Sequence, residues 1–201
     1  VAANKGNPSR KCFQQQLQAF AEFHRRHPDT LLYLHTAKGQ QGGAEVVNLP
    51  ELVDYLGLTD CTRFVDQYMN FLGLPDEAVA LTYNAFDVLT SVSMGEGFGI
   101  PIAEAQACGV PVIVGDWTSM GELCFAGWKI DADDADPLWT PLGAFQFVPR
   151  VGAIVDAYEE AYKNAGNLKL KKQARQGALA YDAETVTQRY WKPTLEELEQ
   201  R

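Results

Sequence analysis

Short apolar runs recur along this chain, separated by stretches with helical spacing and turn signals. The runs at 31–34, 63–65, 87–92, 111–114 and 127–130 have the length and composition of buried strands. Between them the apolar positions change to a helical period. Phe13, Leu17, Phe20 and Ala21 share one face of a first helix that stops at His27-Pro28, with Asn7 as its N-cap and Pro8 at its first position. A second helix follows Asn48, carries Pro50, Leu52, Val53 and Leu56, and closes at Gly57. A third opens at Leu74-Pro75-Asp76-Glu77 and runs to about Phe86. Val1-Ala2-Ala3 reads as the end of a strand already in progress. Such strand–helix alternation predicts an α/β fold, a Rossmann-like doubly wound parallel sheet.

Residues 131–148 break the pattern. They hold two prolines, several acidic residues and the aromatics Trp139, Phe145 and Phe147, and are expected to form an irregular insertion that is functional or disordered. The three aromatics either dock a second domain or pack on their own. The tail reads as helices over 151–164 and 168–181, then a helical extension over 182–201 interrupted at Pro193.

The middle of the chain carries the chemistry. After the run 87–92 come Gly95, Glu96, Gly97, Phe98, Gly99, Ile100 and Pro101, then a helix of about two turns closed by Gly109, then the strand 111–114. Pro101 suits the first helical position, where a missing N–H has no intrahelical partner. The three glycines let a ligand approach the main chain. The loop and the helix start lie beyond the carboxyl end of a parallel strand, where open α/β sheets bind ligands and anionic phosphate is favoured. Glu96 in the loop and Glu104 one turn into the helix are acceptor groups suited to the paired hydroxyls of a ribose or hexose.

Glu96 and Glu104 with seven residues between them, in the context EGFGIPIAEAQACGVPVI, resemble the E-x7-E motif of retaining glycosyltransferases of family 4. The resemblance covers nearly the whole chain and is densest over 60–127. It implies the GT-B fold, with this chain as the C-terminal, donor-binding domain over 1–201. The N-terminal acceptor domain is then absent, and the fragment by itself is expected not to complete transfer. It also implies a nucleoside-diphosphate sugar as donor, retention of configuration and no essential metal or other cofactor. In that reading Glu104 holds the nucleotide ribose, Glu96 holds the sugar hydroxyls and is catalytic with Lys11, and Gly97, Phe98, Gly99, Ile100 and Thr118 line the donor. Lys11 is the closest match to a pyrophosphate-gripping lysine. An arginine usual just after the first strand is replaced by Asn4, with Lys5 beside it, so the second phosphate contact is Arg10, Lys5 or Asn4.

Other side chains carry plainer readings. His24 and His27 are three apart on a helix but lack a third ligand, and read as surface histidines. His35 ends a strand and faces either the interdomain cleft or its own core. Ser119-Met120-Gly121-Glu122 has the form of a capping box, so capping explains Ser119 as well as ligand contact does. Two other functions share this pattern: a nucleotide-sugar epimerase of the same fold, and a non-catalytic nucleotide-sugar-binding module. A dinucleotide oxidoreductase fits less well, because its glycine fingerprint belongs after the first strand, where this chain has Lys5-Gly6-Asn7-Pro8.

Bulk properties narrow the partners. The net charge is −9 over 201 residues, which argues against nucleic acid. No apolar run reaches the roughly 20 residues of a transmembrane helix, and no signal peptide opens the chain. Peripheral membrane contact is left to the missing domain. The four cysteines are widely spaced and read as buried, reduced thiols of a cytoplasmic protein.

Overall fold

The computed structural model describes residues 8–39, 47–141 and 143–200. The strand expected from Val1-Ala2-Ala3, the N-cap Asn7 and most of the loop 36–47 lie outside them, as do Asn4 and Lys5.

The described chain alternates as its pattern predicts. A 3-10 turn at Pro8–Lys11 leads into α1 (Phe13–His24), then β1 (Leu32–Leu34), α2 (Leu49–Tyr55) and β2 (Thr62–Phe64). Next come α3 (Gln67–Leu72), α4 (Asp76–Asn84), β3 (Leu89–Ser91), α5 (Ile100–Ala107), β4 (Val112–Gly115), α6 (Thr118–Glu122) and β5 (Gly127–Ile130). All ladders among these strands are parallel: β1 pairs β2, and β4 sits between β3 and β5. Among the described residues the parallel strands therefore form two ladders, not one continuous sheet. The architecture is α/β and Rossmann-like.

Local chemistry explains several boundaries. Asn48 caps α2 by accepting from the Glu51 N–H, and Asp66 caps α3 in the same way through Met69. The α3 helix has no buried side chain: Tyr68, Met69, Phe71 and Leu72 are all exposed, so its apolar positions mark no core face. Pro8 starts a 3-10 turn and not the α-helix, which begins only after Cys12 at φ 51. Pro101 is the second residue of α5, after Ile100; Gly99 at φ 99 is the N-cap. Gly109 turns the chain out of α5 at φ 78. Gly127 begins β5 at φ 139, and a Cβ there would lie 1.9 Å from the Val112 carbonyl oxygen, so only glycine lets β5 pair so closely with β4.

The segment 131–148 is not irregular. It forms an antiparallel hairpin, β6 (Ala135–Trp139) with β7 (Phe145–Pro149). Phe147 packs on Trp117, ring centroids 5.5 Å apart, while Trp139 and Phe145, cross-strand partners nearer the hairpin tip, meet edge to face at 5.0 Å and stay exposed. One aromatic of the three thus packs on its own domain and two do not.

Behind the strands, α7 (Val151–Lys163) packs on α1 and β5, and α8 (Leu168–Ala178) packs on α5. The core between them includes Leu17, Ile102, Ile113, Met120, Leu123 and Ile154. The last stretch, α9 (Ala183–Val186) and α10 (Lys192–Glu199), is joined by a π-turn at Thr187–Trp191. The interruption expected at Pro193 takes the form of this π-turn, and Pro193 is the second residue of α10. The wider turn just before it takes up the carbonyl that its ring would crowd. Tyr190, Trp191, Leu195 and Leu198 are exposed along it. Among the described residues no helix is long and apolar enough to cross a membrane.

Candidate functional site

The glycine loop leaves β3 through Val92, Ser93 and Met94 and enters α5 at Ile100. Its first anchor is the chain start, where the Met94 N–H donates to the Arg10 carbonyl at 2.8 Å. That bond lays the Pro8–Lys11 turn along the loop and brings two cations to Glu96. Lys11 Nζ donates to Glu96 Oε1 at 2.5 Å, and Arg10 Nη1 donates to Oε2 at 3.2 Å. Ser93, which no sequence signal marked, adds its hydroxyl to Oε1 at 2.7 Å. Arg10 Nη1 also donates to the Gly95 carbonyl at 2.5 Å.

The opposite wall is the start of α6. The Glu96 N–H donates to Thr118 Oγ1 at 3.2 Å, and Ser119 Oγ donates to the Glu96 carbonyl at 3.0 Å. The Ser119 hydroxyl is therefore spent on the glycine loop, and the capping box does not form; α6 begins at Thr118 with no side-chain cap. Thr118 holds φ 56, and Cys12 beside Lys11 holds φ 51. Both walls of the Glu96 cluster thus carry a non-glycine residue in the left-handed region, a strained arrangement that clusters at functional sites.

Glu96 is 13% exposed and Lys11 16%. Burial alone would push the Glu96 carboxyl up. The hydrogen bonds from Lys11 and Ser93 and the charges of Lys11 and Arg10 outweigh it, and hold Glu96 below its ordinary value. A depressed carboxylate stabilises the fold above the ordinary glutamate pKa of about 4.3, and that contribution is lost as pH falls through the lower folded value. Urea denaturation from pH 6 to pH 3 should accordingly show the parent chain losing more stability than Glu96→Gln. Equal losses would mean that the cluster is not ionised as described.

The other sequence-predicted residues separate into groups. Gly97, Phe98 and Ile100 are exposed on the loop, and a Cβ at Gly97 would meet nothing within 4 Å. Gly95 has a packing role instead, since a Cβ there would press on Thr118 Cγ2 at 3.2 Å. Phe98 meets Tyr181 edge to face at 5.7 Å. Glu104 does not join Glu96; its Oε2 accepts from the Tyr83 hydroxyl at 2.9 Å. Gln106 was equally unmarked. Fully buried on α5, it donates to the Ile102 and Leu123 carbonyls and accepts from the N–H groups of Phe125 and Ala126, which fixes the helix against the turn before β5.

His24 bonds Thr30, and His27 bonds Glu159 while lying on the Tyr162 ring at 4.0 Å. Both are half-buried structural groups, not surface histidines. Among the described residues no group of three His, Cys, Asp or Glu side chains is placed to hold a metal. His35 lies 3.5 Å from the Tyr33 hydroxyl at the end of β1, and burial pushes its pKa down. All four cysteines are free; Cys12 and Cys61 are buried, while Cys108 and Cys124 are half-buried. Burial pushes the Cys12 thiol up to about 12, which leaves it a poor nucleophile despite its place beside Lys11.

Residues 8–127, more than half of the chain, match the family described as glycosyl transferases group 1. The chain belongs to this family. It is 36% identical over 102 residues to a D-inositol 3-phosphate glycosyltransferase of Corynebacterium jeikeium, a match covering 50% of this chain and 23% of that protein. The structure overlays the C-terminal domain of a group 1 glycosyltransferase from Francisella tularensis with a TM-score of 0.57 at 18% identity, covering 90% of this chain and 80% of that domain. It overlays a pneumococcal O-GlcNAc transferase, solved with UDP and GlcNAc, with a TM-score of 0.69 at 17% identity, covering 99% of this chain and 35% of that one. These likenesses establish the GT-B type of fold. The chain spans about a quarter of the curated relative's length.

Proposed function

We propose that this chain is the donor-binding half of a retaining glycosyltransferase of the family-4 type, taking a sugar from a nucleoside diphosphate to a glycan, lipid or small acceptor. The observation that carries the reading is the Lys11–Glu96–Arg10 cluster, set at 2.5–3.2 Å on the glycine loop beyond the carboxyl end of β3. Two cations held beside loop amides make a preorganised anion site, suited to the charge that develops on a departing diphosphate. The glycine at position 97 has no packing demand from the protein itself, which leaves close approach of a ligand as its use.

In this reading Lys11 and Arg10 exchange Glu96 for phosphate oxygens when donor binds. The released Glu96 carboxylate then accepts from sugar hydroxyls, and Glu104 accepts from the ribose. Thr118 supports the loop through the Glu96 N–H. Charge stabilisation is assigned to these side chains and amides, with no metal in the role. The E-x7-E pair, retention of configuration and a cytoplasmic, thiol-reducing setting belong to the same proposal. So does a peripheral membrane contact made by the acceptor half.

A thermal-shift panel of UDP, GDP, ADP, their sugars and the parent nucleosides tests this reading. At least one diphosphate should raise the melting temperature well above its nucleoside. Equal shifts for diphosphate and nucleoside, or none at all, would overturn it.

A further inference from the structure

Tyr83 lies 21 residues before Glu104 on a different helix, outside every motif read in the chain. Its ring is 2% exposed, yet its hydroxyl is spent on the exposed Glu104 carboxylate, at 2.9 Å. A buried phenol must find a partner, and a backbone carbonyl would serve structure equally well. Glu104 Oε2 takes that bond, and Oε1 has no hydrogen-bond partner among the described residues. The phenol is itself fixed by a row of rings: Tyr83 meets Phe86 edge to face at 6.1 Å, and Phe86 meets Tyr33 of β1 at 5.5 Å.

We infer that Tyr83 is a positioning residue for nucleotide binding, holding one oxygen of Glu104 so that the other meets the ribose hydroxyls without first giving up rotamer freedom. A free glutamate side chain loses substantial entropy when a ligand orders it, and preorganisation removes that cost. Burial, and then the nearby Glu104 charge, push the Tyr83 hydroxyl well up, so it stays a donor across the working pH range. The inference rests on the assignment of Glu104 to the ribose.

The test uses the 201-residue chain and whichever of UDP, GDP and ADP binds it tightest, beside the 2′,3′-dideoxy form of the same diphosphate, by calorimetry. Tyr83→Phe keeps the ring and removes the donor. It should weaken the ribose ligand about three- to tenfold, leave the dideoxy ligand unchanged, and add nothing to Glu104→Gln in the double variant. Tyr83→Met, a second hydroxyl-free variant, should give the same ratio between ligands and guards against a folding defect specific to one substitution. Equal weakening of both ligands, additivity with Glu104→Gln, or no weakening would assign Tyr83 to packing alone and leave the nucleotide reading standing. A Glu104→Gln chain that still discriminates ribose from dideoxyribose as the parent does would overturn the ribose assignment and this inference with it. If no diphosphate binds, the functional reading itself fails.

Discussion

Lys11→Ala is expected to weaken nucleoside diphosphate binding about tenfold or more while leaving the parent nucleoside nearly unaffected. A charge-assisted contact contributes roughly 1.5–3 kcal/mol, and every 1.4 kcal/mol is a factor of ten. The structure adds a second consequence. Lys11 and Glu96 form a close pair at 2.5 Å, largely screened from water, so removing the lysine leaves a carboxylate that must rely on Arg10 and Ser93. Breaking one side of a sheltered pair costs stability because the other charge stays behind. The double variant Lys11→Ala/Glu96→Gln should recover part of that stability, and of the diphosphate affinity only the few-fold that freeing Arg10 from Glu96 returns. Calorimetry on nucleoside and diphosphate, with melting curves of the free variants, separates the two effects. Equal loss for both ligands would show that Lys11 does not reach phosphate.

The cluster around Glu96 was only half legible in the sequence. Glycines, a proline and a strand on each side mark the loop between β3 and β4, because turn chemistry and apolar runs are local signals. Lys11 and Arg10 were legible as candidates through their place before the first helix. That they sit on Glu96 depends on the backbone bond between Met94 and Arg10, a long-range contact that no local pattern encodes. Ser93 and Tyr83 are common residue types at unremarkable spacings, and their roles exist only in three dimensions. Gln106 had no periodic signal as a polar residue, yet it is fully buried because four backbone groups satisfy its amide. The hairpin at 131–148 was hidden by its composition. Acidic residues and prolines outweigh its alternation, and β6 leaves most of its side chains in water. The interruption at Pro193 was legible, because a proline disturbs the turn before it, but the π-turn that takes up the disturbance was not.

The two glutamates of the motif are expected to respond to substitution with different signs. In the unliganded structure the Glu96 carboxylate occupies the cations that a diphosphate needs, through Lys11 and Arg10. A bare diphosphate must therefore displace it and then gains nothing from it. Glu96→Gln keeps the size of the side chain and removes the competing charge. It should bind bare diphosphate as tightly as the parent or tighter, by a few-fold at most, because desolvation of both charges offsets most of the attraction in the displaced pair. The sugar diphosphate behaves differently. Its hydroxyls are the acceptor's new partners in the proposed complex, so the same substitution loses charged hydrogen bonds there, on the order of tenfold or more in affinity. Glu104 lies apart from the cations and is held by Tyr83, so its ribose contact is common to every nucleotide ligand. Glu104→Gln should weaken diphosphate and sugar diphosphate by similar factors, roughly tenfold each. The measurement is the ratio of the two dissociation constants for each variant at one salt concentration, with melting temperatures of the free chains as the folding control. A Glu96→Gln chain that binds bare diphosphate tenfold more weakly than the parent would show that Glu96 helps to hold the phosphates, and would reverse the division of roles between the two carboxylates.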